Sequence, residues 1–347
     1  MSTKFGVFYS IFKKMSDKYY GGTVWEIIGT AMTINLLDGI GLLGFLAKPR
    51  TIDEIKGFLK DKLPFEHFVS LLDILSMRGY IRKTSRGEFC INSNAIEKLT
   101  YTLSKHPFTE FKPLLKASET IFTEYVKSLS EGKPVHLTDP RLRLIFYDLL
   151  GSEFIDKQRE TLILYSGGHQ VFINKHIIDL FPGFGFNTKK LIETIGYKNV
   201  KKITACMTSN ETLELAKRVR VKIDGETVLL GDLEKVEIII IGEDYSGLKE
   251  LQSNTFETAV SFMGPPSTID IEYFFSEVRR ILQPNGLLVG ASLFKKKKKE
   301  KSILDFIGKL LGTHRVFGED EFKELLRKLG YKNIDVFFSF LYKAQKR

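Results

Sequence analysis

The chain has 347 residues, of which 43% are hydrophobic and 27% are charged, so its length suits two domains and its apolar content supports a sizeable core. No apolar run is long enough to span a bilayer, the N-terminus lacks a secretory pattern, and Cys90 and Cys206 form no metal spacing. We therefore expect a cytoplasmic protein without a metal site, whose net charge of +10 permits attraction to anions, nucleic acid or a membrane surface.

Residues 1–100 are predicted to form a mostly helical N-terminal domain. Apolar residues recur at helical spacing between residues 27 and 34 and again between residues 68 and 75. Between these stretches, Thr51 and Glu54 form a capping box that begins a helix, and Gly79 ends the last helix. Residues 80–91 then have the pattern of a hairpin. Three helices followed by a hairpin are the order of a winged helix.

A winged helix can read DNA or pair subunits, and the candidate recognition helix bears on this choice. Its face would carry Glu66, His67, Ser70, Asp73 and Arg78, which include two acids and a single arginine. Such a face suits a phosphate-lined groove poorly. We therefore favour the pairing of subunits and expect no DNA reading, with DNA binding as the alternative.

Residues 101–170 are predicted to be helical connections, and strands alternate with helices over residues 171–347. Prolines at positions 107, 113, 134 and 140 interrupt the connecting segment. The alternation is typical of a parallel sheet with helices on both faces. Strands are predicted over residues 200–207, 236–241, 256–263, 287–292 and 333–343, and helices over residues 211–219, 271–282 and 319–329.

Residues 176–188 combine an apolar run, an acid and a turn that contains glycine. The acid is Asp179, the turn carries Gly183 and Gly185, and helical spacing follows. A strand that enters a helix through such a turn lets a ligand approach the backbone, where the helix N-terminus offers free N–H groups. The commoner form of this motif has three glycines, and Phe181 occupies the first of those positions here.

Five consecutive lysines, Lys295 to Lys299, follow the strand predicted over residues 287–292. Five like charges cannot all be buried, so a solvated surface loop is the simplest interpretation. Because the carboxyl end of a strand faces the ligand crevice in this type of sheet, the run is also a candidate peripheral contact for an anionic partner.

Several stretches of the C-terminal half carry a resemblance to a known family. Residues 275–289, FSEVRRILQPNGLLV, resemble the segment in which S-adenosylmethionine-dependent methyltransferases have arginine-x-leucine-x-proline-glycine-glycine before a strand. Residues 179–185 match part of their first cofactor-binding motif, and residues 203–213 resemble their second strand and its loop. With the winged-helix order in front, residues 20–345 resemble the dimeric small-molecule O-methyltransferases of plants and bacteria. The resemblance implies an α/β fold with a C-terminal Rossmann-like methyltransferase domain and an N-terminal winged-helix dimerisation domain.

The resemblance also implies S-adenosylmethionine as the cofactor and a set of residues that would contact it. The residues at the matching positions are Asp179, Phe181, Gly183, Gly185, Met207, Thr208, Glu243, Asp244, Ser261 and Phe262. Asp179 would orient the loop and the methionine end of the cofactor. Glu243 and Asp244 would meet the adenine amino group, and Ser261 and Phe262 would line the cofactor pocket. A solvated turn is the alternative interpretation of the acidic pair.

Three departures from the family pattern concern cofactor binding and catalysis. Phe181 replaces a glycine, which implies a wider loop. Met207 stands where the family has an acid that accepts hydrogen bonds from the ribose hydroxyls, and a thioether accepts them poorly. The family has a histidine base after the fourth strand, whereas residues 261–267 contain none, so we name no catalytic residue. We interpret Asn187 and Thr188 as N-caps of their helix.

The sequence thus predicts a homodimeric S-adenosylmethionine-dependent methyltransferase that moves a methyl group to a small-molecule acceptor. Without a histidine base, a thiol, an amine, an activated carbon or an ionised oxygen is a better acceptor than a neutral phenol. The main alternative is a catalytically inactive protein of methyltransferase fold that binds or scaffolds a partner. A nucleic-acid-associated methyltransferase is the second alternative, and it rests on the positive charge alone.

Overall fold

The structure is a computed structural model and describes residues 22–60, 65–104, 120, 147–148, 150–262, 270–292, 294, 317–337 and 340–347. The described residues fall into two compact units, one between residues 23 and 148 and the other from residue 150 onwards. In these ranges no helix combines the length and the apolar character needed to cross a membrane.

The described part of the N-terminal unit consists of helices and one two-stranded hairpin. Its elements are α1 (Gly22–Gly39), α2 (Leu42–Phe45), α3 (Ile52–Leu59), α4 (Phe65–Met77), β1 (Ile81–Lys83), β2 (Phe89–Ile91) and α5 (Ser93–Ser104). The capping box that begins α3 is confirmed, because the Thr51 hydroxyl accepts from the Glu54 N–H at 3.3 Å and the Glu54 carboxylate accepts from the Thr51 N–H at 2.8 Å. The antiparallel hairpin of β1 and β2 is also confirmed.

The predicted recognition face falls on and just after α4. Asp73 and Arg78 are exposed there, and the side chains of Glu66, His67 and Ser70 lie outside the described part of the chain. The winged-helix assignment and the role of this unit in dimerisation therefore stay predictions.

The C-terminal unit contains a seven-stranded sheet with helices on both faces. Its elements are α6 (Glu153–Tyr165), β3 (His176–Asp179), α7 (Phe186–Ile195), β4 (Lys202–Met207), α8 (Asn210–Lys217), β5 (Arg220–Ile223), β6 (Glu226–Leu229), β7 (Val236–Ile240), β8 (Phe256–Phe262), α9 (Ile271–Ile281), β9 (Leu282–Ala291), α10 (Glu319–Lys328), β10 (Tyr331–Phe337) and β11 (Leu341–Lys346). The strand order is β10-β11-β9-β8-β3-β4-β7. Among the described strands of this sheet, β11 alone runs opposite to the other six, so the predicted fold class, a mostly parallel α/β sheet that follows a helical N-terminal region in the chain, is confirmed.

Two element predictions for this unit are wrong in detail, and one element was not predicted. The strand expected over residues 333–343 is two antiparallel strands, β10 and β11. The strand expected over residues 287–292 begins at Leu282, directly after α9, and pairs with β8 through a register shift. The sequence reading also missed the β5–β6 hairpin, which forms a separate two-stranded sheet.

Alternate residues of the central strands pack on opposite faces of the sheet, as the pleat requires. Cys206 packs with Ile178 and with aromatic residues of α9 and α10 on one face. Its neighbours Ala205 and Met207 pack with Ala216 of α8 on the other face. The buried runs of β3, β4 and β8 are therefore apolar on both sides, which explains their nearly continuous hydrophobic sequence.

The amino ends of β3, β4 and β8 are held together by one carboxylate. Glu257 accepts hydrogen bonds from the His176 N–H at 3.0 Å, from Lys175 at 3.1 Å and from Lys201 at 3.1 Å. Partial burial opposes its ionisation, but these donors outweigh that effect and lower the pKa of Glu257 to about 2. The amino edge of the sheet is therefore fastened by charge at neutral pH.

We expect Gly290→Ala to destabilise the C-terminal unit by about 1–3 kcal/mol, because β9 has no room for a side chain there. An added Cβ would overlap the ring of Tyr342 and lie 2.6 Å from the carbonyl oxygen of Ser261. Chemical denaturation of the full chain measures the loss. Gly57→Ala in α3 is the control, since among the described residues no atom outside its own helix backbone and chain neighbours lies within 4 Å of an added Cβ, and a small gain of about 0.5–1 kcal/mol is expected. Equal stability of Gly290→Ala and the unaltered protein would contradict this account.

Candidate functional site

The candidate residues collect at the carboxyl edge of four neighbouring parallel strands. In the order β8-β3-β4-β7, each strand ends at this edge next to a candidate residue or a candidate pair. Asp179 ends β3, Met207 ends β4, and Ser261 and Phe262 end β8. Loops at this edge of a parallel sheet are where ligands bind in open α/β folds.

The turn between β3 and α7 uses left-handed backbone at three successive residues. The φ angles are +54° at Gly183, +57° at Phe184 and +90° at Gly185. A Cβ on Gly185 would lie 2.9 Å from Leu230 Cδ2 and 3.2 Å from Ala216 Cα. The sequence interpretation took Gly185 as room for a ligand, whereas here that space is filled by the packing of the protein itself.

Asp179 ties this turn to the first turn of α7. Its carboxylate accepts from Asn187 Nδ2 at 2.6 Å and from Thr188 Oγ1 at 2.7 Å, and the Phe181 N–H also donates to it. The side chain is fully buried, and burial raises its pKa to about 6 although these three donors lower it. The acid therefore organises the loop through its own hydrogen bonds.

The interpretation of Asn187 and Thr188 as N-caps is wrong. The N-cap residue of α7 is Gly185, which has no side chain to cap with, and both polar residues lie inside the helix. They are buried and turn their donors towards Asp179. A capping pattern and a buried network use the same residue types, so the local sequence could not separate the two roles.

Phe181 packs into the sheet core. Its ring lies 4.9 Å from the ring of Tyr245 and 5.4 Å from that of Phe274, measured between centroids. These are favourable tilted aromatic contacts. Where the family pattern has a glycine, this chain therefore has a core side chain, whose backbone N–H still serves Asp179.

Met207 is 2% exposed and packs against Ala205 and Ala216, with Leu213 and Ile238 beside them. It therefore fills the space below α8 as an apolar side chain. The next residue, Thr208, is half-buried. The helix begins at a capping box in which the Ser209 hydroxyl accepts from the Thr212 N–H at 3.3 Å.

Glu243 and Asp244 lie in an exposed turn after β7. The Asp244 carboxylate accepts from the Ser246 N–H at 3.0 Å, and that hydrogen bond lowers its pKa. The turn is thus solvated, as the alternative interpretation expected, and Asp244 also stabilises its own loop. Glu243, the other acid of this pair, is also exposed.

Ser261 and Phe262 are both buried at the end of β8. Ser261 Oγ and the Tyr342 hydroxyl have no partner at hydrogen-bonding geometry among the described residues. Burial raises the pKa of Tyr342, and the nearby Ser261 hydroxyl lowers it. Residues 263–269, which would carry a base after this strand, and the run Lys295 to Lys299 lie outside the described residues.

Arg159 of α6 is the residue that sequence reasoning missed. Its side chain is 1% exposed, and its guanidinium carbon lies 5.3 Å from the ring centroid of Phe262 and 5.9 Å from that of Phe186. Burial lowers its pKa, and Asp156 and Asp179 oppose that shift through their charges. The signal was present in the sequence, because Arg159 follows Ile155 by four residues and precedes Leu162 by three, so it lies on the apolar stripe of a helix.

Within the described ranges, no group of three or more histidine, cysteine, aspartate and glutamate side chains is placed to hold a metal ion. The chemistry available at the edge consists of a buried acid, a buried guanidinium, backbone donors of the glycine turn and two exposed carboxylates.

We expect the contribution of Asp179 to stability to fall as the pH rises from about 4.5 to about 7. The folded chain holds the Asp179 proton with a pKa of about 6, above its ordinary value of 3.8, so ionisation in this range costs folding free energy. Urea unfolding of the unaltered protein and of Asp179→Asn, which cannot ionise, measures the effect. The stability of the unaltered protein relative to the variant should drop by about 1–3 kcal/mol across this range. A difference that stays constant or grows with pH would contradict the raised pKa.

Comparison with known proteins bears on the fold. No protein-family model matches the chain, and no curated protein matches it in sequence. Among solved structures, the CurJ carbon methyltransferase has a TM-score of 0.62 and 14% identity, over 92% of this chain and 91% of that chain. The CMeT domain of the citrinin polyketide synthase has a TM-score of 0.60 and 14% identity, over 92% and 88%. An O-methyltransferase family protein from Burkholderia thailandensis has a TM-score of 0.50 and 12% identity, over 100% and 98%. The chain therefore has the fold of the methyltransferases, as its residues led us to expect.

Proposed function

We propose that the protein is an S-adenosylmethionine-dependent methyltransferase whose cofactor binds at the carboxyl edge of β3, β4, β7 and β8. The observation that carries this proposal is the network of Asp179 with Asn187 and Thr188. A buried acid with a raised pKa costs stability, so a chain without a ligand at this turn would gain by replacing it. The network instead keeps the turn in one conformation before any ligand arrives, which lowers the cost of binding.

The residues at this edge suit the cofactor unevenly. The buried guanidinium of Arg159 has donors without acceptors in the described part of the chain, which indicates a place for an anionic group. Glu243 offers an exposed carboxylate for the adenine amino group. Met207 offers no acceptor for the ribose hydroxyls, so we expect binding to be weaker by about 1–3 kcal/mol than with an acid at this position.

When bound, S-adenosylmethionine would supply a methyl group on a sulfonium centre, which is already a strong electrophile. The residues of this chain would align the acceptor with that centre and exclude water, and these two effects account for much of such catalysis. The loop of Asp179 and the end of β8 would form the walls of this part of the pocket.

A carbon atom activated by its neighbours is the acceptor we propose for this methyl group. The sequence has no histidine just after β8, so an acceptor that ionises without such a base is favoured. Two of the similar structures are a carbon methyltransferase and a polyketide synthase CMeT domain, which supports the same choice. Thiol, amine and ionised oxygen acceptors remain the other members of the predicted class.

We expect S-adenosylhomocysteine to bind with a dissociation constant in the micromolar range or weaker. Calorimetry measures this directly, and it does not require the acceptor. Absence of heat at millimolar ligand would contradict the enzyme proposal and favour the alternative of an inactive protein that binds or scaffolds a partner.

Met207→Asp tests the placement of the ribose. An acid at this position should tighten S-adenosylhomocysteine binding by about tenfold, roughly 1.4 kcal/mol, because it accepts from the hydroxyls. Met207→Leu is the matched control, since it keeps the packing against Ala216 and adds no acceptor. Unchanged affinity in Met207→Asp would show that the ribose lies elsewhere.

We also propose that the N-terminal unit, as a winged helix, pairs two copies of the chain in the cytoplasm. Ile52, Val69 and Met77 are large apolar side chains of this unit that are 37%, 38% and 67% exposed. Exposed apolar surface of this kind is typical of an interface when it is clustered. Light scattering should give twice the 39.7 kDa mass of one chain. A monomer at high concentration would contradict the proposal.

A further inference from the structure

The guanidinium of Arg159 is held from one side only. Its Nη1 atom donates to the Leu150 carbonyl oxygen at 2.7 Å and to Asp156 Oδ1 at 2.8 Å. Its Nε and Nη2 atoms are buried and have no acceptor in the part of the chain that the structure describes. A buried donor of a charged group that has no acceptor costs folding free energy, so such donors are rare in protein interiors.

The two unmet donors form one geometric unit. Nε and Nη2 lie on the same edge of the planar guanidinium, and their N–H bonds point outward in parallel. This edge matches the two oxygens of a carboxylate, which accept from it in two parallel hydrogen bonds. The contacts of Nη1 with Leu150 and Asp156 fix the plane of the group, so the edge is oriented before a ligand arrives.

The unmet edge lies beside the glycine turn. Nη2 is 3.4 Å from the point where Gly183 would carry a Cβ, and the ring of Phe262 lies close to the guanidinium carbon. Arg159 is thus between the turn that follows β3 and the end of β8. The same Cβ point is 3.4 Å from Leu150 Cδ1, so the glycine turn and Leu150 together enclose this side of the guanidinium.

Asp179 does not occupy this edge. Its two carboxylate oxygens accept from Asn187 and Thr188, and it acts on Arg159 only through its charge. Asp156 accepts its hydrogen bond from Nη1, on the other side of the guanidinium. Within the described residues the buried cation therefore has one directly bonded carboxylate and two donor atoms that no acceptor meets.

We propose that the Nε–Nη2 edge of Arg159 binds the carboxylate of the methionine part of the cofactor, an inference that rests on the proposed function. Arg159 is then the residue that distinguishes cofactors with an amino-acid carboxylate from nucleosides that lack one. The amino acid end of the cofactor would lie against Gly183, and its adenosine end would extend towards Met207 and Glu243.

The unaltered protein provides the first test. Calorimetry compares S-adenosylhomocysteine with its decarboxylated analogue, which keeps the nucleoside, the thioether and the amine. A bidentate charged contact predicts about 10- to 100-fold weaker binding of the analogue. Equal affinity for the two ligands would overturn the inference and leave the proposed function standing. Absence of binding by either ligand would contradict the proposed function, and this inference with it.

Variants then assign the effect to Arg159. Arg159→Met should bind both ligands with the affinity that the analogue has for the unaltered protein, so the preference disappears. Arg159→Lys should keep part of the preference, because an ammonium retains the charge without the bidentate geometry. Arg327→Met, at an exposed position of α10, is the matched control and should keep the full preference.

Thermal unfolding and binding of the decarboxylated analogue show whether each variant is folded. If Arg159→Met does not fold, the ratio measured on the unaltered protein and on Arg159→Lys decides the question. A folded Arg159→Met that retains the preference would overturn the role of Arg159.

Discussion

The carboxylate of Asp179 holds the end of β3 to the first turn of α7, and the arrangement of the candidate site depends on that tie. Three successive residues of the turn have left-handed backbone, one of them the non-glycine Phe184, and such backbone persists only where its surroundings determine it. The Asp179 carboxylate fixes this backbone, because it accepts hydrogen bonds from donors on both sides of the turn. The position of Gly183 beside Arg159 follows from the same tie.

The two edges of the sheet use carboxylates in different ways. Glu257 is partly exposed and is neutralised by two lysines, so it is firmly ionised and fastens three strands. Asp179 is fully buried and meets neutral donors, so its charge has a cost and serves the geometry of a loop. Ionic contacts therefore hold the amino edge of the sheet, and hydrogen bonds to one buried acid hold the turn at its carboxyl edge.

The sequence predicted those parts of the site that depend on neighbours along the chain. Asp179 and the glycine turn were found because a strand, an acid and a helix follow one another within thirteen residues. Arg159 comes about twenty residues earlier and reaches the turn only through the fold, although its place on an apolar helix stripe was a usable signal. The packing of Phe181 against Tyr245 and Phe274 could not be predicted, because these residues lie far apart in sequence.

The fold shows the same division between local and distant information. The missed β5–β6 hairpin carries a strong local signal, Asp224–Gly225, with both residues at positive φ. By contrast, the break between β10 and β11 falls in an aromatic stretch without glycine or proline, so alternation alone suggested a single strand. Parallel pairing and the order of the strands depend on contacts across the chain, and only the alternation of elements indicated them.

The crossover from β7 to β8 explains why the ring of Phe181 has a place in the core. Residues 241–255 make this connection with a 3₁₀ turn, Ser246–Glu250, and without an α-helix, although parallel strands are usually joined by one. Tyr245 from this crossover and Phe181 from the β3 turn fill the same space with their rings. A glycine at position 181 would leave a void beside a crossover too short to close it. The two segments therefore depend on each other for their packing, and we expect a change in either one alone to cost folding free energy.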